Sequence, residues 1–228
     1  MSLEELKREV TACRACPRLV EWRELVAREK RAAFADETYW SRPIPGFGDP
    51  AAHVLLLGLA PAAHGANRTG RVFTGDRSGD FLFAALHRTG FANQPTSRTR
   101  DDGLKLTDCW VTAAVRCAPP ANKPTPAERD RCLPWTVREL EHLPNVRVVV
   151  CLGGFGWDAA LRLRRAAGHA DLRPKPKFGH GVVADAEPWT LLGCFHPSQQ
   201  NTFTGRLTPP MLDGVLETAR ELSSRRSD

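Results

Sequence analysis

The stretch from Gly58 to Gly79 reads GLAPAAHGANRTGRVFTGDRSG and follows the apolar run His53-Val54-Leu55-Leu56-Leu57. A loop rich in glycine, alanine and proline at the end of a strand lies where open α/β sheets bind ligands. Its small residues let backbone N–H groups come close to one. Here it carries Asn67, Arg68, Thr69, Phe73, Thr74 and Asp76, which are donors, one aromatic plate and one carboxylate. That set suits a planar, polar substrate joined to a charged chain. A second polar loop, HPSQQNTFTGRLT from His196 to Thr208, follows the strand-like Thr190 to Phe195. Pro197 holds His196 extended and aims its imidazole out of the sheet edge. In a parallel sheet both loops leave the same edge, so they can face each other across one cleft.

Cysteine supplies a second kind of chemistry. The chain has seven cysteines and no secretion signal, which argues against a disulfide framework and for thiolate ligands beside a few buried thiols. Cys13 and Cys16 form a C-x-x-C followed by Pro17, and fourteen residues that include Pro119, Pro120, Pro124 and Pro126 separate Cys117 from Cys132. Spacing alone leaves zinc and an iron–sulfur cluster both open. Cys109, Cys151 and Cys194 sit in or beside apolar strand-like runs and read as core thiols.

Alternating strands and helices must position these groups. Helical periodicity covers 2–12 and 18–34, a Pro/Gly loop covers 41–52, and the first strand is expected at 53–57. A helix over 78–88 can take its N-cap from Asp76 to Ser78. The polar segment 92–106 reads as exposed. A strand at 108–115 leads to Arg116-Cys117. Thr125-Pro126-Ala127-Glu128 then matches an N-cap with Pro at the first helical position, opening a helix to about 141. A strand at 146–152, a helix to about 167, a strand at 190–195 and a helix over 209–223 complete the chain. The expected fold is α/β, three layers with helices on both faces of a mostly parallel four-stranded sheet.

The chain has 228 residues, 42% of them hydrophobic, enough for one domain over 1–228. Its net charge is +6, and the surplus is mostly arginine, which suits phosphate contacts. Met1 to Leu6 is amphipathic and acidic rather than an apolar leader, and no apolar run reaches the ~18 residues of a membrane span. A cytoplasmic protein is expected.

The combination of GLAPA, RTGRVFTGD and HPSQQNTFTGRLT with cysteines at 13, 16, 117 and 132 resembles family 5 (type B) uracil-DNA glycosylase, from Cys13 to Thr208. The resemblance implies the α/β/α fold of that superfamily, a [4Fe–4S] cluster on Cys13, Cys16, Cys117 and Cys132, and excision of damaged bases from double-stranded DNA by a monomer. The cluster would join the N-terminal segment to the core. Leu59 stands where other branches carry an acidic or polar residue, so a carboxylate at that position is not available. Ala113 stands where uracil-specific relatives carry an edge-reading asparagine, which implies relaxed specificity for uracil, hypoxanthine and xanthine.

A glycosylase must flip its target into a pocket that stacks the base and bonds its edge. Phe73 is the expected plate. His196 and the backbone around Gly58, Ala60, Pro61 and His64 would hold the departing base, with Ala113 beside it. Asp76 would stabilise a positively charged sugar and orient water, or serve only as a helix cap. Asn122 would position water, or only form a turn. Ser198, Gln199, Gln200 and Asn201 lie in the segment that looks like the superfamily's DNA-probing loop. Arg68, Arg71, Lys123 and Arg206 are candidate phosphate contacts or ordinary solvated cations. The alternative function is a noncatalytic iron–sulfur module that recognises damaged DNA.

Overall fold

The computed structural model describes residues 2–225. Runs of aliphatic and β-branched residues form four wholly buried strands: β2 (Val54–Gly58), β3 (Cys109–Ala113), β4 (Val148–Leu152) and β6 (Trp189–Cys194). Burial on both faces is the mark of a parallel sheet covered by helices. These strands pair in parallel in the order β3-β2-β4-β6. Two short antiparallel strands widen the sheet to six, β1 (Phe47–Gly48) beside β3 and β5 (Val183–Ala186) beside β6. The expected count of four omits them for a physical reason. A two-residue strand has no periodicity to read, and Val-Ala-Asp-Ala at a largely exposed edge carries little apolar signal.

Alternation along the strands sorts side chains into two cores. Val54, Leu56, Val111, Val150 and Leu192 join Leu82 and Phe83 of α4 (Arg77–Arg88) and Leu212 and Leu216 of α8 (Pro209–Arg225). On the other face Leu55, Leu57, Trp110, Val149 and Leu191 join Trp157 and Leu163 of α6 (Gly153–Ala166). Leu133, Val137 and Leu140 of α5 (Pro126–Glu141) add to that second core. The result is the three-layer α/β/α arrangement. Helix α5 starts on the expected capping box: Thr125 Oγ1 accepts from the Glu128 N–H at 3.2 Å, and the Glu128 carboxylate accepts from the Thr125 N–H at 2.8 Å.

The N-terminal helices α1 (Leu3–Ala12) and α2 (Pro17–Glu29) lie before the sheet. Helix α2 stops at Glu29 rather than near 34, because Lys30 takes a left-handed φ of 53° and a short 3₁₀ turn comes next at Ala32–Phe34. The segment 92–106 is not wholly exposed as expected: Ala92, Ser97, Leu104 and Leu106 are buried. Arg71 is part of the cause. Its guanidinium, 3% exposed, donates to Ser97 Oγ and to both Asp102 carboxylate oxygens at 2.8 Å. Among the described residues no helix is long and apolar enough to cross a membrane.

Candidate active site

The carboxyl ends of β2, β3 and β6 share one sheet edge, and their loops enclose a cavity of about 300 Å³. That volume is at the low end for a small-molecule pocket. Leu59, Ala60, Pro61, Ala62, Val72 and Phe73 supply an apolar wall, while Asp76, Ser78, Asn122, His196 and Ser198 supply the polar groups.

Phe73 occupies this wall at a backbone φ of 50°, a left-handed conformation that costs a bulky residue of order 1–3 kcal/mol. Two glycines make room for it. A Cβ on Gly58 would lie 2.9 Å from the Phe73 ring, and one on Gly79 would lie 1.9 Å from its carbonyl oxygen. The Phe73 and His196 rings are 5.9 Å apart, centre to centre, and inclined by 37°. They form two planes of one cavity.

Asp76 is both helix cap and cavity wall. Its Oδ1 accepts from the Gly79 N–H at 2.9 Å at the start of α4. Burial nevertheless pushes its carboxyl pKa upward, against the two backbone N–H bonds that favour the charged form. A Cβ on Gly65 would come within 2.0 Å of Asp76 Oδ2, so glycine is required there for the carboxylate to hold its place.

His196 leaves β6 into the cavity, and burial lowers its pKa to about 4. The imidazole is therefore neutral at physiological pH, with one ring N–H to donate. Its backbone carbonyl accepts from Asn201 Nδ2 at 2.9 Å, so Asn201 ties down the loop that carries His196. Asn122 reaches the cavity from a 3₁₀ turn, Pro120–Asn122, in which Ala121 and Asn122 both have positive φ, 52° and 55°. The turn-forming and cavity-lining readings of Asn122 thus hold together.

Several expected site residues stand elsewhere. Gly58 lies behind the Phe73 ring, and Ala113 pairs with Gly58 on β3, 4% exposed within the core that includes Phe73. His64 turns to Tyr39, whose hydroxyl is 2.9 Å from its Nδ1. Arg68, on the one-turn helix α3 (Ala66–Thr69), is buried, bonded to Glu37, to the His64 carbonyl at 2.9 Å and to the Gly75 carbonyl at 2.8 Å. Arg68 and Arg71 brace the loop from within, which does not fit the phosphate contacts expected of them: their charges are already paired and shielded from solvent. Lys123, Gln199, Gln200 and Arg206 are exposed. Leu59, Ala62, Val72 and Ser78 line the cavity without having been expected as binding residues. Their only sequence signal is nearness to Pro61, Phe73 and Asp76.

Cys13, Cys16, Cys117 and Cys132 line one small cavity with Leu19, Val20, Pro43, Val115 and Trp135. They come from four places: the end of α1, the N-cap of α2, the loop after β3, and α5. N–H groups point at the sulfurs. Arg23 Nη1 donates to Cys117 Sγ at 2.9 Å, and the Arg116 backbone N–H donates to Cys132 Sγ at 3.2 Å. Burial pushes the Cys117 thiol up to about 11 and Cys132 up to about 12. Buried thiols with N–H donors aimed at them are suited to losing their protons to a bound cation. Among the described residues no three His, Cys, Asp or Glu side chains converge as a site for a single metal ion. The four cysteines share the lining of this one small cavity. Cys109, Cys151 and Cys194 are buried in the two main cores.

The model of the uracil DNA glycosylase superfamily matches residues 45–220, from just before β1 into α8. The type-5 uracil-DNA glycosylase of Mycobacterium tuberculosis (strain CDC 1551 / Oshkosh) is 58% identical over 224 residues, covering 97% of this chain and 82% of the relative. That of Thermus thermophilus is 51% identical over 229 residues, 98% of this chain and 99% of the relative. A type-4 uracil-DNA glycosylase from Archaeoglobus fulgidus is 30% identical over 203 residues, 86% of this chain and 82% of the relative. The chain therefore belongs to the uracil DNA glycosylase superfamily and, within it, to the type-5 uracil-DNA glycosylases.

Proposed function

We propose that this protein is a monofunctional DNA glycosylase that hydrolyses the N-glycosidic bond of uracil, hypoxanthine and xanthine in double-stranded DNA, acting as a monomer in base excision repair. The observation that carries the reading is the meeting of Phe73, Asp76, Asn122 and His196 around one base-sized cavity. A flipped base stacks on Phe73. As the bond to C1′ breaks, negative charge grows on the base and positive charge on the sugar. Neutral His196 donates a hydrogen bond to the base, while the Asp76 carboxylate stabilises the sugar. Asp76 and Asn122 orient the water that adds to C1′, and the base leaves with the electrons of the broken bond. Among the described residues no lysine lines the cavity, which favours hydrolysis over a Schiff-base route with strand cleavage.

The largely apolar wall supports breadth of substrate. An apolar pocket discriminates only modestly between bases. Four thiolates on Cys13, Cys16, Cys117 and Cys132 would hold a [4Fe–4S] cluster, whose role here is to cross-link the N-terminal helices to β3 and α5.

The test uses protein purified without oxygen and duplexes carrying one uracil, hypoxanthine or xanthine, with abasic sites cleaved by alkali. Release of all three bases under enzyme excess, by protein holding about four iron atoms per chain, is expected. Tight binding without release would favour the noncatalytic module instead. Release of uracil alone would overturn the permissive pocket, and stoichiometric zinc would overturn the cluster.

A further inference from the structure

Strand β6 loses its main-chain neighbour just before it delivers His196. At Gly193 the pairing is still backbone to backbone: its N–H donates to the Val182 carbonyl at 2.9 Å, and its carbonyl accepts from the Gly181 N–H at 2.7 Å. The segment before β5 then closes into a tight turn, in which the Val182 N–H donates to the Gly179 carbonyl at 3.4 Å and Gly181 takes a positive φ of 73°, a conformation that favours glycine. This turn presses on the strand, since a Cβ on Gly193 would lie 2.1 Å from the Gly179 carbonyl oxygen. Backbone N–H groups alternate along a strand, so the next one on that edge is that of Phe195. It donates to a side chain, His180 Nδ1, at 3.2 Å. The His180 ring also stacks on the Phe195 ring, with 4.9 Å between centres and an inclination of 30°.

We propose that His180 is a positioning residue for His196: its imidazole adds one rung to the β6 ladder and so fixes the backbone from which His196 enters the cavity. The inference rests on the glycosylase reading, in which His196 meets the base, and adds a residue that acts on it through Phe195. Nδ1 accepts only while the ring is neutral and its proton sits on Nε2. Burial lowers the His180 pKa, which keeps the ring neutral, and the Met211 backbone in the first turn of α8 takes a hydrogen bond from it. His196 is thus held from both sides. His180 fixes the Phe195 N–H before it, and Asn201, on the short helix α7 (Gln199–Phe203), fixes its own carbonyl. Misplacing a catalytic group by about 1 Å can cost about 10²-fold, so loss of the rung should be felt in the rate of the chemical step rather than in affinity.

Two variants separate the rung from the packing. His180→Asn loses the ring stack but keeps an acceptor, because Oδ1 is as many bonds from the backbone as Nδ1; His180→Phe keeps a stacking ring and has no acceptor. Single-turnover release of uracil from a duplex should fall ~10-fold or more in His180→Phe and stay within ~3-fold of wild type in His180→Asn, with duplex affinity within ~2-fold in both. A second measurement needs no catalysis. Hydrogen exchange at the Phe195 amide, followed by NMR, should be slow in the wild type and in His180→Asn and ~10-fold faster or more in His180→Phe. A packing role alone predicts the reverse order of rates, with phenylalanine active and asparagine slow. That order, equal slowing of the two variants, no slowing in either, or the same Phe195 exchange in all three proteins would overturn the proposal. If the wild type releases no base, the glycosylase reading fails, and the exchange still decides whether His180 supplies the rung.

Discussion

Protonation of His196 is coupled to folding, and the sign of that coupling can be measured. In the unfolded chain a histidine titrates near ~6.5, whereas enclosure by the cavity lowers His196 to about 4. Between those values the unfolded chain binds the proton and the folded one does not, so the histidine's contribution to stability is complete above the unfolded value and is lost as pH falls toward 4. A difference of about 2.5 units at about 1.36 kcal/mol each sets the full loss near 3 kcal/mol, of which about 2.5 kcal/mol is gone by about pH 4.5. His196→Asn removes the titration. Urea unfolding of both proteins at pH 7.5 and 4.5 should show the wild type losing more than the variant by about that amount, and an NMR titration should find the imidazole signal missing from the variant still neutral at pH 5. A signal titrating near pH 6.5, or equal acid losses in the two proteins, would refute the enclosed, neutral imidazole. The role assigned to it as a neutral hydrogen-bond donor to the base would fall with it.

Asp76 should show the opposite balance between activity and stability. Burial raises its carboxyl pKa, so its ionisation opposes folding as pH rises; Asp76→Asn should slow base release about 10²-fold while leaving the thermal midpoint equal or higher, since asparagine also caps helices well. Full activity would make the carboxylate only a cap and move the water to Asn122. Gly65→Ala places a methyl 2.0 Å from the far end of the Asp76 side chain, which must shift by about 1 Å; a loss of about 10²-fold in single-turnover rate with retained fold is expected, and an unchanged rate would show that the carboxylate position is not critical.

The parallel core and the cavity were legible in the sequence for the same reason. Uninterrupted apolar runs at 54–57 and 148–152 name central strands, and the loop leaving the carboxyl end of such a strand in an α/β sheet lies at its ligand-binding edge. Asp76, His196, Phe73 and Asn122 could therefore be placed at one sheet edge from chain order, while the family resemblance supplied the roles of Phe73 and Asn122. The direction of side chains within the loop was not readable in the same way. His64 and Arg68 belong to the same glycine-rich stretch as Phe73, yet one turns to Tyr39 and the other to Glu37. Both partners come from the region between α2 and β1, which has no periodic signal to place it. The short helix at Gln199–Phe203 was illegible as well, since five polar-rich residues after a proline read as loop.

Arginine shows how composition misleads about partners. The excess of arginine suggests a surface made for phosphates, but Arg23, Arg68, Arg71, Arg116 and Arg129 are buried. Arg116 pairs with Glu139 at 2.7 Å, and Thr136 Oγ1 accepts from the same guanidinium at 3.1 Å. Arg23 is directed to Cys117, and Arg71 anchors the segment around Asp102. A buried guanidinium can serve several carbonyl, carboxylate or sulfur acceptors at once without losing its charge, which suits long loops that have little backbone pairing of their own. Arg77, beside Asp76, Lys123 and Arg206 are among the exposed cations, each on a segment that also supplies a cavity wall or borders one. Under the proposed glycosylase activity, cations at those places can hold phosphates beside the lesion while one nucleotide turns inward.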